Sequence, residues 1–121
     1  MKKFALFLIS LLLATGCSTK SGYIDVSVDE AEKMIADGKV EVIDVRTEEE
    51  FTSGHIPNAK LIPLQQLQNK LHELDKNKSY LIVCRSGNRS TQASNILVKE
   101  GFFHVYNMSG GMNEWKGAIE Q

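Results

Sequence analysis

A disulfide framework, a membrane-spanning run, a basic surface and internal repeats are all missing from this 121-residue chain. Only two cysteines are present, Cys17 and Cys84, so the crosslinked scaffold of small secreted domains is excluded. The long apolar run at the start, Phe4 to Ala14, is too short to cross a bilayer. Behind the basic Met1-Lys2-Lys3 it reads as a signal peptide instead. Net charge is −1, and losing Lys2 and Lys3 with the leader makes the rest more acidic, so no nucleic-acid footprint remains. No repeated unit or low-complexity tract appears. With 42% hydrophobic residues, the chain supports one domain around one core.

What is there alternates between strand and helix signals. Tyr23 to Val26 reads as a first short strand. Ser27-Val28-Asp29-Glu30 has capping-box spacing, and Ala31, Met34 and Ile35 form the apolar stripe of a helix ending at Gly38. Val40 to Val45 is the second strand. Thr47-Glu48-Glu49-Glu50 is a second capping box, opening a short helix that stops by Gly54. Its carboxylates complement a helix start, which accounts for them without a metal. Gly54 to Asn58 is a turn before a third strand at Ala59 to Ile62. Leu64, Leu67, Leu71 and Leu74 predict another amphipathic helix, with His72 on its outer side. His104 to Asn107 is the last strand, followed by Gly110-Gly111 and a short helix bearing Trp115. Such alternation implies a parallel sheet with helices on both faces.

Chemistry concentrates at Tyr80 to Ser90. Tyr80-Leu81-Ile82-Val83 is a buried strand, and Ala93, Ile96 and Leu97 mark a helix that Gly101 stops. Cys84 therefore sits at the carboxyl end of a strand, where open α/β sheets place their ligand sites. Backbone N–H groups of the loop Arg85-Ser86-Gly87-Asn88-Arg89-Ser90 converge on one spot at a helix mouth and favour negative charge there. That field, with Arg85 and Arg89 nearby, lowers a thiol pKa. Gly87 permits the tight turn.

Cys84-Arg85-Ser86-Gly87-Asn88-Arg89-Ser90 resembles the active loop of single-domain rhodaneses, the thiosulfate sulfurtransferases. The run from Val42 to Ala59, with Asp44-Val45-Arg46 and Gly54-His55-Ile56-Pro57, resembles that family's upstream signature. Gly110-Gly111-Met112-Asn113-Glu114-Trp115 resembles its closing one. The resemblance implies a rhodanese-like α/β fold with five parallel strands in the order 1-5-4-2-3, which brings Asp44 beside the Cys84 loop. It implies a Cys84 persulfide cradled by Arg85 to Ser90, loaded from thiosulfate or a persulfide and unloaded onto a thiol, cyanide or a protein acceptor. Asp44 and Arg46 would support the loop, with Arg89 pairing with Asp44, and His55 would belong to the turn. No cofactor or metal enters this scheme. Two other classes compete: a Cys-dependent phosphatase or arsenate reductase, and a non-catalytic binding module. Four residues separate Cys84 from Arg89, one fewer than in the phosphatase loops, which suits a single sulfur atom better than a tetrahedral oxyanion.

Leu13-Ala14-Thr15-Gly16-Cys17 resembles a bacterial lipobox. Residues 1–16 would then be a removed signal peptide, 17–22 a polar tether lipidated at Cys17, and 23–121 the rhodanese domain. The expected location is the cell envelope, exported and held to a membrane by lipid on Cys17. An ordinary secretory cleavage near Gly16 would instead leave Cys17 a free thiol. Either way Cys84 would work in an oxidising compartment, exposed to oxidation.

Overall fold

The computed structural model describes residues 22–121. The signal-peptide and lipidation segment, Cys17 included, lies outside them. Five strands form one parallel sheet: β1 (Ile24–Val26), β2 (Glu41–Asp44), β3 (Lys60–Leu61), β4 (Ser79–Val83) and β5 (His104–Met108). Their order is β1-β5-β4-β2-β3, as the family resemblance implies.

Strand β4 is central and the most apolar. Tyr80, Leu81, Ile82 and Val83 are all buried because both faces of a parallel sheet are covered. Alternate side chains serve the two sides. Ile43, Tyr80, Ile82 and Cys84 enter one core with Ala93 and Leu97 from helix α4 (Asn88–Lys99). Val42, Leu81 and Val83 enter the other with Val28 and Ala31 from helix α1 (Val28–Ala36). Met34 packs against this second core as filling, and so does Trp115, which follows the short helix α5 (Gly111–Glu114) as its C-cap. Both capping boxes form: Ser27 with Glu30 on α1, and Thr47 with Glu50 on helix α2 (Glu48–Thr52).

The leucine-rich helix is shorter than its spacing predicts. A single α-helical turn, α3 (Leu64–Leu67), runs into a 3₁₀ segment at Gln68–Glu73. Asn69 and His72, weak α-helix formers, fall within the 3₁₀ segment. Leu67 is buried in the first core, and Leu64, Leu71 and Leu74 pack against it.

The chain turns in opposite directions from the middle of the sheet. After β2 it moves outward to β3; after β4 it crosses back through α4 to β5. The carboxyl ends of β2 and β4 therefore flank the crevice where such sheets bind ligands. Asp44 stands opposite Val83 across this pair, and Cys84 follows immediately.

Candidate active site

Cys84 leaves the end of β4 and the chain turns into α4 within a few residues. Gly87, the N-cap of α4, has φ +101, and a Cβ there would lie 2.2 Å from the Ser109 carbonyl oxygen. Only glycine meets both demands without displacing backbone. The turn aims amides back at the sulfur. Gly87 N–H donates to Cys84 Sγ at 3.1 Å and Ser90 N–H at 3.2 Å. Ser90 Oγ lies 3.5 Å from Sγ and accepts the thiol proton when it is present.

A second loop holds this geometry from behind. Met112 N–H donates to the Cys84 carbonyl at 2.8 Å, and Asn113 N–H to the Arg85 carbonyl at 2.9 Å. With these carbonyls held away from the site, the amides of Ser86, Gly87 and Ser90 act on the sulfur. Gly111, at φ +67, passes so close to the loop that a Cβ would sit 2.3 Å from the Arg85 carbonyl oxygen. The sequence signature Gly110-Gly111-Met112-Asn113 is thus the back wall of the cradle.

Opposing forces act on the thiol. Burial pushes its pKa up, but the Ser90 hydroxyl and the N–H groups of Ser90, Gly87 and Ser86 outweigh it, and the net shift is downward. The sulfur is nonetheless covered: Cys84 is 0% exposed. The loop folds over it, which leaves Arg85, Ser86 and Asn88 as the exposed residues at the mouth.

The ion pairs differ from the expected ones. Arg89 does not reach Asp44. It donates in bidentate fashion to Glu50, Nη1 to Oε1 at 2.8 Å and Nη2 to Oε2 at 2.9 Å. Asp44 is taken by Arg46, whose Nε and Nη2 lie 2.8–3.1 Å from the carboxylate oxygens. Two residues apart on the end of β2, these side chains meet before Arg89 is in range. Arg46 Nη2 also donates to the Gly54 carbonyl at 2.9 Å, which ties β2 to the end of α2. Asp44 and Arg46 thus steady α2, and α2 presents Glu50 to Arg89. The Arg89 guanidinium holds Glu50 well below the usual carboxylate range, at about 2, against an opposing push from burial.

Glu50 is the site residue that sequence reasoning missed. Its capping-box spacing was legible, but its partner lies 39 positions along the chain. His55 is structural, as expected. Its ring stacks on Phe51 at 3.6 Å, Nδ1 lies 2.7 Å from the Phe51 carbonyl, and its backbone bridges to Glu120. Among the described residues, no group of acidic, histidine and cysteine side chains is arranged to hold a metal ion.

A lone cysteine on a strand-to-helix anion loop, at the central crevice of a five-stranded parallel sheet, defines a class of small α/β proteins that carry a nucleophile in a ring of amides. Residues 27–118 match the model of the rhodanese-like domain, and the chain belongs to that family. The sulfurtransferase of Allochromatium vinosum is 33% identical over 92 residues, covering 75% of this chain and 86% of that one. The Bacillus subtilis protein YrkF is 37% identical over 89 residues, or 74% of this chain, which spans 48% of that relative's length. The crystal structure of a rhodanese-like domain protein from Staphylococcus aureus superposes with a TM-score of 0.74 at 37% identity, covering 80% of this chain and 96% of that one.

Proposed function

We propose that this protein is a sulfurtransferase that carries a sulfane sulfur on Cys84. In the first half-reaction the Cys84 thiolate attacks the outer sulfur of thiosulfate. The S–S bond of the donor breaks, sulfite leaves with its electron pair, and a Cys84 persulfide forms. A persulfide donor reacts in the same way and releases a thiol. In the second half-reaction a thiolate or cyanide attacks the terminal sulfur, taking it as a new persulfide or as thiocyanate and regenerating the Cys84 thiolate. Two steps through one covalent intermediate give ping-pong kinetics.

The observation that carries this reading is the convergence of the Gly87 and Ser90 amides on Sγ. Fixed dipoles aimed at one atom favour its anionic state and, after loading, the charged terminal sulfur of the persulfide. Arg85, exposed beside the nucleophile, attracts an anionic donor. The sulfur is covered, with Arg85, Ser86 and Asn88 exposed around it, so a small or extended donor fits this mouth better than a bulky one. Arg89 is committed to Glu50 through both terminal nitrogens, so it braces the loop more than it grips substrate. With four residues between Cys84 and Arg89, the loop favours sulfur over phosphate or arsenate. The lipobox-like residues 13–17 support a second part of the reading, a domain tethered to a membrane of the cell envelope through lipid on Cys17.

Intact-protein mass spectrometry of the mature chain before and after thiosulfate tests both parts. A gain of one sulfur atom that cyanide removes, and that Cys84→Ser abolishes, is expected, together with acyl mass at Cys17. No added sulfur, with turnover of an aryl phosphate instead, would overturn the sulfurtransferase reading.

A further inference from the structure

The sulfur cradle has a second tier, behind the Gly87 carbonyl. That oxygen accepts from Thr91 N–H at 3.1 Å, from the Thr91 hydroxyl at 2.7 Å and from the Ser90 hydroxyl at 3.1 Å. Ser90 Oγ also lies 3.5 Å from Cys84 Sγ. A hydroxyl has one proton to give, so Ser90 serves either the carbonyl or the sulfur. While the thiol keeps its proton, S–H donates to Ser90 and Ser90 donates onward to Gly87. Once the thiolate forms, the hydroxyl gains most by turning to sulfur. Gly87 then depends on Thr91.

Thr91 is itself oriented from further back. Asn107 Nδ2 donates to Thr91 Oγ1 at 3.1 Å and to Asp25 Oδ1 at 2.9 Å. Asp25 faces Asn107 across the β1–β5 pair, and its carboxylate oxygens only accept. The amide of Asn107 must therefore present its NH₂ group, the end that also reaches Thr91. An N–H arriving at Thr91 Oγ1 occupies an acceptor site and leaves the Thr91 proton for Gly87. Asn107 is 1% exposed, and its Oδ1 has no hydrogen-bond partner. A buried carbonyl without a partner costs stability, and an apolar side chain of similar size would avoid that cost. The NH₂ group is the engaged end of this amide, bonded to both Asp25 and Thr91.

We propose that Asp25, Asn107 and Thr91 form a positioning relay that holds the Gly87 carbonyl in both states of the thiol and so releases the Ser90 hydroxyl to the sulfur when its proton leaves. The relay rests on the reading of Cys84 as the reacting nucleophile. Other charges near the sulfur are Arg85 beside it and Arg89 with its partner Glu50; the Asp44–Arg46 pair closes the end of β2. The variants below leave all of them in place.

The test compares Thr91→Val, Thr91→Ser, Asn107→Leu and the double variant T91V/N107L with the natural protein. Alkylation of Cys84 by iodoacetamide is followed across pH, with thermal unfolding and thiosulfate loading measured on the same samples. Thr91→Val and Asn107→Leu are expected to move the alkylation profile to higher pH, with roughly threefold less thiolate at neutral pH, the effect of one net hydrogen bond. Thr91→Ser restores the natural profile, and the double variant shifts no further than Thr91→Val because both changes act through one hydroxyl. A folded Thr91→Val with an unshifted profile, or a double variant showing the summed shift, overturns the relay. If Asn107→Leu does not fold, the valine and serine variants at Thr91 decide alone. A natural protein that takes no sulfur from thiosulfate while Thr91→Val still shifts the profile would overturn the proposed function and leave the relay standing.

Discussion

Replacing Glu50 by Gln separates two jobs that one side chain performs. Its Oε1 accepts from the Thr47 N–H at 3.1 Å as part of the helix cap, and both carboxylate oxygens hold Arg89. Glutamine keeps an oxygen for the cap but loses the charge and one of the two acceptors. The pair is about a quarter exposed, with side-chain values of 25% for Glu50 and 30% for Arg89. Its worth therefore lies between an exposed ion pair, about 0.2–1 kcal/mol, and a charge-assisted bond in full burial, about 1.5–3 kcal/mol. Glu50→Gln should cost about 1–2 kcal/mol at neutral pH by urea unfolding. Glu50→Ala, which also removes the cap, should cost about 1 kcal/mol more.

The pH dependence has a definite sign. Glu50 is held at about 2 in the folded protein, below its usual 4.5. A carboxylate depressed on folding contributes fully above its unfolded value and loses that contribution as pH falls toward the folded one. The stability gap between the natural protein and Glu50→Gln should stay constant above pH 4.5 and close on the way to about 2. A gap that is absent at neutral pH, or unchanged through the acid range, refutes the assignment of Glu50 as the partner that matters to Arg89.

Other perturbations probe the loop itself. Gly111→Ala puts a Cβ 2.3 Å from the Arg85 carbonyl at φ +67, so it should displace the back wall and cut sulfur loading at least tenfold, read as the rate of persulfide formation. Arg85→Ala should raise KM for thiosulfate several-fold with a smaller effect on kcat, and the difference should shrink at high salt, because an exposed charge acts by attraction that ions screen. Asp44→Ala leaves Arg46 buried and unpaired, and should cost about 3–5 kcal/mol in urea unfolding while the alkylation profile of the protein that remains folded changes little.

The elements of this fold were legible because their causes are local. Capping boxes at Ser27 and Thr47, the apolar run ending at Val83 and the glycine at 87 each act within a few residues, and the structure places them as their spacing implies. The family resemblance supplied what is not local, the strand order, and with it the meeting of β2 and β4. The errors arose where two side chains choose between partners. Asp44 has two arginines to choose from, Arg46 and Arg89, and only the turn of α2 shows that Arg46 reaches it first and that Glu50 is left for Arg89. The leucine spacing from Leu64 to Leu74 fits a regular helix equally well, and periodicity alone does not register where the winding tightens to 3₁₀. Asn107 and Thr91, 16 positions apart, meet only because β5 lies beside β4 under α4.

Hydrogen bonds to Sγ overcome the burial of Cys84 and favour its ionised form. Ultraviolet titration of the thiolate, with Cys84→Ser as the blank, measures this directly. The midpoint is expected below the roughly 8.5 of a free cysteine. A midpoint at or above that value would mean that burial prevails and the ring of amides does not prepare the sulfur for attack.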